Sequence, residues 1–215
     1  MDTVDFDDLR RDYDDDPLER SDLTSDPLQL LRDWLAAARD AGVSEPNAMA
    51  LATCGADGQP HCRIVLLKQV DEQGLAFFTN KGSDKGAQIA ANPQAAATFW
   101  WSKPRNRQVR IVGSIVPTPE TESDRYFESR PREAQLASAA SPQSSVVRDR
   151  EELERLVTEL RERVGTGAVP RPPQWGGYRL RPHQVEFWQG RAARLHDRLR
   201  YRRDGSGWVI ERLAP

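Results

Sequence analysis

The stretch AMALATCGADGQPHCRIVLLKQVDEQGLAFFTN (residues 48–80) reads as three strands in succession. AMALATC (48–54), CRIVLLKQV (62–70) and LAFFTN (75–80) are apolar runs of strand length, and GADGQP and DEQG between them carry turn chemistry. Connections this short are hairpins. The regular strand–helix–strand alternation of a parallel sheet is missing, so the expected architecture is an antiparallel barrel or sandwich with helices around it.

Working outward, AAATFWW (95–101) and RQVRIVGSIVPT (107–118) predict two more strands, and YRLRP, VEFWQG, RLRYRR and WVIERL close the chain as strands. GSDKGAQIAANP (82–93) predicts a short helix, with Ser83 as cap and Pro93 beyond its end. Helical segments are expected around 119–129 and 132–139. DREELERLVTELRERV (149–164) has the i,i+4 charge pairing of a helix with a solvated face, and GTGAVPRPPQWGG (165–177) is a Pro/Gly-rich loop. Upstream, Ser25 or Asp26 caps a helix that has Pro27 in its first turn and Gly42 at its end. Leu28, Leu31, Trp34, Leu35 and Ala38 make its apolar stripe.

Residues 1–26 hold eleven acids against three arginines and few apolar side chains. Such composition does not bury enough surface to offset the entropy of ordering, so a mobile arm is expected there, with one main domain over 27–215. LRRDY (9–13) is the arm's one basic-aromatic cluster.

With 215 residues, 38% hydrophobic and 30% charged, the chain has material for a core. A net charge of −2 points to neither a nucleic-acid binder nor a membrane-surface protein. No apolar run approaches the ~20 residues that span a bilayer, no signal peptide is visible, and Cys54 and Cys62 lack metal-type spacing. A soluble, reduced, cytoplasmic protein is expected. His61, His183 and His196 lie far apart with no Cys/His partner, so no metal site is expected.

Several cations sit in or beside strands. Arg63 and Lys68 bracket IVLL and point to opposite faces if that strand is regular. Lys85 lies in the first turn of a helix, where backbone N–H groups favour an anion. Arg130 and Arg132 flank Pro131 after Tyr126. Each alone reads as a snorkelling surface residue, and together they suggest phosphate recognition. In VEFWQGRAARLHDR (185–198), an extended chain puts Arg194, His196 and Arg198 on one face. As bare pattern this is equally a salt-bridged sheet edge or a site.

That last stretch resembles the C-terminal signature of the pyridoxamine 5′-phosphate oxidases. The resemblance continues through RRDY, RIVLLK, FFTNKGSDK, RQVR, YFESRPREAQL, QSS, WGGYR and RLAP, in the family's order. It implies a mainly β, FMN-binding split β-barrel of Greek-key type with flanking helices, working as a homodimer with FMN at the subunit interface. It assigns FMN contacts to Arg63, Ile64, Val65, Leu66, Leu67, Lys68, Phe78, Thr79, Lys85, Gln108, Gln143, Ser144, Trp175 and Arg198. The substrate phosphate meets Lys68, Tyr126 and Arg130. Arg194, Leu195 and His196 contact the substrate, with Arg194 and His196 as the catalytic pair, and Arg10, Arg11, Asp12 and Tyr13 form a lid. The implied reaction is oxidation of pyridoxamine or pyridoxine 5′-phosphate to pyridoxal 5′-phosphate, with O2 consumed and H2O2 released. Asp84 and Ala134 depart from the family, where some members carry a second cation and a phosphate-contacting serine. Three rivals are a phenazine-type oxidase acting on a substrate without phosphate, a non-catalytic carrier of flavin or pyridoxal phosphate, and a nucleic-acid module resting on RLRYRR.

Overall fold

The computed structural model describes Asp12, Tyr13 and residues 15–215. They form two compact units: a central one of residues 48–97 and 112–182, and a terminal one of the described residues up to 47 with 98–111 and 183–215.

In the central unit β1 (Ala48–Cys54) pairs antiparallel with β2 (Pro60–Leu66), from Ala48 opposite Leu66 to Cys54 opposite Pro60. Ala48, the first residue of β1, faces Leu66, the last of β2. The chain therefore crosses over, Lys68 N–H donates to Ala76 O at 2.8 Å, and β3 (Gln69–Asp71) pairs with β4 (Gly74–Asn80). The single strand expected over 62–70 is thus two strands serving different partners. Lys68 sits at the crossover, so strand alternation does not set its direction relative to Arg63.

The remaining elements are α2 (Asp84–Ala91), β5 (Gln94–Trp101), β6 (Arg107–Pro117), α3 (Glu120–Ser129), α4 (Arg132–Ala140), α5 (Arg150–Val164), β7 (Trp175–Gln189), β8 (Asp197–Asp204) and β9 (Gly207–Arg212). Among the described residues the sheet has nine strands in the order β2-β1-β5-β6-β7-β4-β3, with β8 pairing β7 and β9 pairing β8. β1, β5 and β6 alternate between buried and more exposed positions, as strands with one buried face do.

YRLRP and VEFWQG prove to be parts of one strand, β7, which runs through Pro182. The reason is local. β7 pairs with β4 over Trp175 to Leu180 and with β8 over Gln184 to Gln189. Pro182 lies between these ladders, so its missing N–H removes a bond from neither.

α3, α4 and α5 of the central unit gather around a core of Phe127, Leu136, Leu160, Val169 and Trp175. In the terminal unit α1 (Pro27–Asp40) is capped by Asp26, whose side chain accepts from Leu28 N–H at 2.9 Å. It buries Leu28, Leu30, Leu31, Trp34 and Ala38, while Leu35 is only half-buried. Trp34 meets Phe187 edge-on at 5.0 Å.

Residues 15–26 do not follow the composition argument for a mobile arm. Leu18 is 2% exposed, its N–H donates to Asp197 Oδ2 at 3.0 Å, and Asp15 accepts from Asn106 N–H at 2.9 Å. Tyr201 Oη donates to Thr24 O at 2.7 Å. The acids have found donors in the terminal unit, and one leucine anchors the segment. Arg10 and Arg11 lie outside the described residues.

Candidate active site

Two strands and one helix place the first pair of cations in the central unit. Arg63, opposite Leu51 in the β1–β2 ladder, donates to Leu51 O at 3.2 Å, to Thr53 Oγ1, and to Gln88 Oε1 at 3.1 Å. Lys85, in the first turn of α2, donates to Ser83 Oγ at 3.1 Å, and to Thr79 Oγ1 and Gln143 Oε1 at 3.2 Å each. Thr79 Oγ1 in turn donates to Gln143 Oε1 at 3.0 Å. Burial first, and the nearby Arg63 charge second, hold the Lys85 pKa below its ordinary value. Both cations are satisfied by neutral oxygens only.

The second pair lines a cavity of about 690 Å³ in the same unit. Lys68 and Arg130 share its wall with Tyr126, Thr79 and Gln143, and α4 presents Ala134, Ala137 and Ser138 to it, followed by Ser141 at its C-cap. Phe78 stacks on Tyr126 at 4.2 Å and lies near-parallel to Trp175 at 5.8 Å. Gly177 permits this: a Cβ there would lie 2.7 Å from Phe78 Cε1 and 2.4 Å from Thr118 Oγ1. Lys68 Nζ is 5.9 Å from the Tyr126 ring centre, and the Arg130 guanidinium is 5.1 Å from that of Trp175. Burial lowers the Arg130 pKa from its ordinary value.

Among the described residues none of Arg63, Lys68, Lys85 and Arg130 forms an ion pair. Other basic residues of the unit do: Arg171 pairs with Glu120 and Asp124, and Arg179 with Asp71 and Glu122. Four cations left to neutral partners, two of them with burial-depressed pKa values, make a site prepared for anions.

The terminal unit holds a separate cluster. Tyr13 meets Trp188 edge-on at 5.9 Å and His196 at 5.7 Å, and Trp188 lies 4.7 Å from His196. His196 Nδ1 accepts from Arg191 N–H at 3.2 Å, which leaves the neutral ring's proton on Nε2. Burial first, and Arg194 second, lower the His196 pKa. The extended reading of 194–198 fails here. Ala193 and Arg194 have φ of 53° and 61°, in a 3-10 turn over Ala192–Arg194, and the strand begins only at Asp197. Arg194, His196 and Arg198 therefore do not share a strand face. Arg194 is exposed. Arg198 is engaged, donating to Glu186 Oε1 and to Ala214 O at 2.9 Å each, with Glu186 only 3% exposed.

Of the sequence-derived residues, Leu66, Lys68, Phe78, Thr79, Tyr126, Arg130, Gln143 and Trp175 come together on one cavity. Arg63 and Lys85 adjoin one another, and Lys85 bonds two of those residues. Ile64 is 65% exposed, Val65 half-buried and Leu67 buried. Ser144 is exposed with φ of 71°, and Gln108 is half-buried on β6. Leu195 is 69% exposed and Asp12 is exposed. Sequence reasoning missed Thr53, Gln88 and Ser138. Gln88 is three residues past Lys85 and so on the same helix face, a signal open to periodicity; Thr53 reaches Arg63 only through strand register.

Solved structures share this architecture. PhzG from Burkholderia lata 383, in complex with tetrahydrophenazine-1-carboxylic acid, matches with a TM-score of 0.86 at 39% identity, covering 93% of this chain and 98% of that one. A pyridoxamine 5′-phosphate oxidase-related, FMN binding protein from Nostoc punctiforme PCC 73102 matches with a TM-score of 0.69 at 19% identity, covering 87% and 96%, a likeness of fold. The fold is the mainly β split barrel with flanking helices that the resemblance implied. Residues 35–164 match the family model described as pyridoxamine 5′-phosphate oxidase, and residues 175–215 match the pyridoxine 5′-phosphate oxidase C-terminal dimerisation region. The chain is 52% identical over 210 residues to the pyridoxine/pyridoxamine 5′-phosphate oxidase of Pseudomonas paraeruginosa, with 97% of each covered, and 48% identical over 213 residues to that of Cyanothece, covering 99% and 100%. The chain belongs to the pyridoxine/pyridoxamine 5′-phosphate oxidase family, as the resemblance indicated.

Proposed function

We propose that the chain binds FMN and oxidises pyridoxamine 5′-phosphate and pyridoxine 5′-phosphate to pyridoxal 5′-phosphate, with O2 as acceptor and H2O2 as product, as a cytoplasmic homodimer. The observation that carries this reading is that four cations, disposed as two couples, form no ion pair among the described residues. Arg63 with Lys85 suits one phosphate, and Lys68 with Arg130, beside Tyr126, suits another.

The residues fit FMN. Arg63 and Lys85 repel one another in a partly buried place, and a terminal phosphate would relieve both. Ile64, Val65, Leu66, Leu67, Phe78, Thr79, Gln108, Gln143, Ser144, Trp175 and Arg198 remain the proposed further FMN contacts. Bound FMN would supply a two-electron acceptor for the carbon bearing the substrate's amine or hydroxyl, with O2 as final acceptor; for the amine, water is consumed and ammonia released as the aldehyde forms. The protein's share is positioning. Lys68, Tyr126 and Arg130 hold the substrate phosphate. His196, which in its neutral form carries its proton on Nε2, and Arg194 orient the substrate's polar groups, with Leu195 against it. Tyr13, with Arg10, Arg11 and Asp12, closes over the substrate and excludes water. The match of residues 175–215 to a dimerisation region supports the homodimer.

The test is aerobic turnover of pyridoxamine 5′-phosphate by FMN-loaded protein, following aldehyde and peroxide together. Equal yields of both are expected, and no aldehyde at saturating flavin would refute the reading. The likeness to PhzG favours a second reading, oxidation of a reduced phenazine carboxylic acid. Turnover of such a substrate, with none of the phosphorylated amine, would select it.

A further inference from the structure

We infer that Ser138 is a phosphate-contact and positioning residue: its hydroxyl accepts from Arg130 and donates its own proton to the phosphate that Arg130 binds. This rests on the proposed reading of the cavity as the substrate-phosphate site, and it adds a residue that neither sequence motif nor resemblance assigned.

The cavity face of α4 and its C-cap follows helical spacing: Ala134, Ala137 and Ser138, then Ser141. The first two offer only methyl groups. Arg130 stands just ahead of α4, joined to it through Pro131, and its Nη1 donates to Ser138 Oγ at 2.7 Å. A guanidinium has no acceptor, so the serine oxygen must receive and its own O–H must point elsewhere. A helical serine commonly gives that proton to the carbonyl four residues back. Thr158 on α5 does so, to Glu154 O at 2.9 Å. Ser138 makes no such bond among the described residues, so its donor remains for the cavity. The guanidinium is meanwhile fixed at its face by Trp175, 5.1 Å away, and at one edge by Ser138. Its other N–H groups are left for an anion, with no carboxylate competing. Ser138 thus sets the angle of the cation and supplies a neutral donor beside it.

The test compares wild type with Ser138→Ala, Ser138→Thr and Ser138→Cys, using Arg130→Ala as reference. Each is titrated with FMN, assayed for kcat and KM with pyridoxamine 5′-phosphate, and inhibited with inorganic phosphate. Ser138→Ala should raise both KM and the phosphate inhibition constant about 10-fold, the scale of one hydrogen bond to a charged group. FMN affinity should stay as in wild type. Threonine, which keeps the hydroxyl, should restore both constants, and cysteine, a weak donor of similar size, should behave like alanine. If alanine does not fold, the threonine and cysteine pair decides. Wild-type constants in Ser138→Ala or Ser138→Cys, while Arg130→Ala raises them, would overturn the role of Ser138 and leave the phosphate site standing. An FMN affinity that falls with the substrate's would assign the hydroxyl to the flavin phosphate and overturn it too. If Arg130→Ala itself matches wild type, the phosphate reading of the cavity falls, and the proposal with it.

Discussion

Replacing Lys85 by methionine keeps most of the side-chain volume and removes the charge, so it separates what the cation does for the fold from what it does for a ligand. Lys85 donates three hydrogen bonds, at 3.1 to 3.2 Å, to Ser83, Thr79 and Gln143. Each typically nets about 0.5–1.5 kcal/mol, and long, partly exposed bonds belong at the low end. Against them stand burial and Arg63, which hold the Lys85 pKa below its ordinary 10.5. The sign follows from linkage: a depressed folded pKa favours the fold above the unfolded value, and that advantage is lost as pH falls through the folded one. Where the lysine is charged in both states, burial and Arg63 make that charge a burden on the folded one. Losing three bonds and losing that burden oppose each other. The melting temperature of the apoprotein should therefore move by no more than ~4 °C, about 1–2 kcal/mol for a chain of this size. FMN affinity should fall on the order of 10- to 150-fold, the loss of one charge-assisted bond of about 1.5–3 kcal/mol. The assay strips the flavin, melts the apoprotein in phosphate-free buffer by circular dichroism, then titrates FMN by fluorescence quenching. Unchanged FMN affinity with a large drop in melting temperature would make Lys85 a structural cation and refute the argument. Combining it with Arg63→Met should give non-additive losses, because both cations meet one phosphate.

How far the sequence reaches is seen at three places. β1, β4 and α1 were legible to within a residue or two, because local signals coincide: alternation, turn glycines, and Asp26 followed by Pro27. The breaks were not. The apolar run of 62–70 carries no local mark at Leu67 and Lys68. The strand ends there because β1 ends opposite it, a fact held in residues 48 to 54. Pro182 marks a break that does not occur, because the ladder on each side belongs to a different neighbour. The site divides in the same way. The motif residues Lys68, Tyr126, Arg130, Gln143 and Trp175 meet on one cavity. The turn at Ala193 and Arg194, in left-handed conformation without glycine, had no sequence signal, and strand geometry misplaced Arg194. The partners that hold Asp15 and Leu18 lie some ninety or more positions away, so composition alone reads that segment as free.

Arg130→Ala should raise KM for pyridoxamine 5′-phosphate on the order of 10- to 150-fold with FMN retained, and equal loss of both ligands would merge the two phosphate sites into one. His196 should titrate below its ordinary 6.5, with the neutral ring protonated at Nε2, as nitrogen-detected NMR would report. The stability it contributes is full above 6.5 and fades as pH falls through the lowered value, and kcat should fall over the same window. Gly190→Ala tests the seat of Tyr13. A Cβ at Gly190 would lie 2.7 Å from Tyr13 Cγ and 2.9 Å from its Cβ, nearer than such atoms approach. The backbone has little freedom to retreat, because Gly190 N–H donates to Asn106 O at 2.8 Å. The ring must leave, losing its edge contacts with Trp188 and His196, at about 0.5–1.5 kcal/mol for each aromatic pair. The ring contacts of the terminal core, Trp34 on Phe187 and Phe187 on Tyr201, do not include Tyr13, so the melting temperature should change little. Tryptophan fluorescence should report an altered Trp188 environment, and turnover should fall with FMN still bound, because the proposed closure over the substrate has lost its ring. Wild-type fluorescence together with wild-type turnover would show that a side chain fits beneath Tyr13, and that the glycine does not govern where the ring sits.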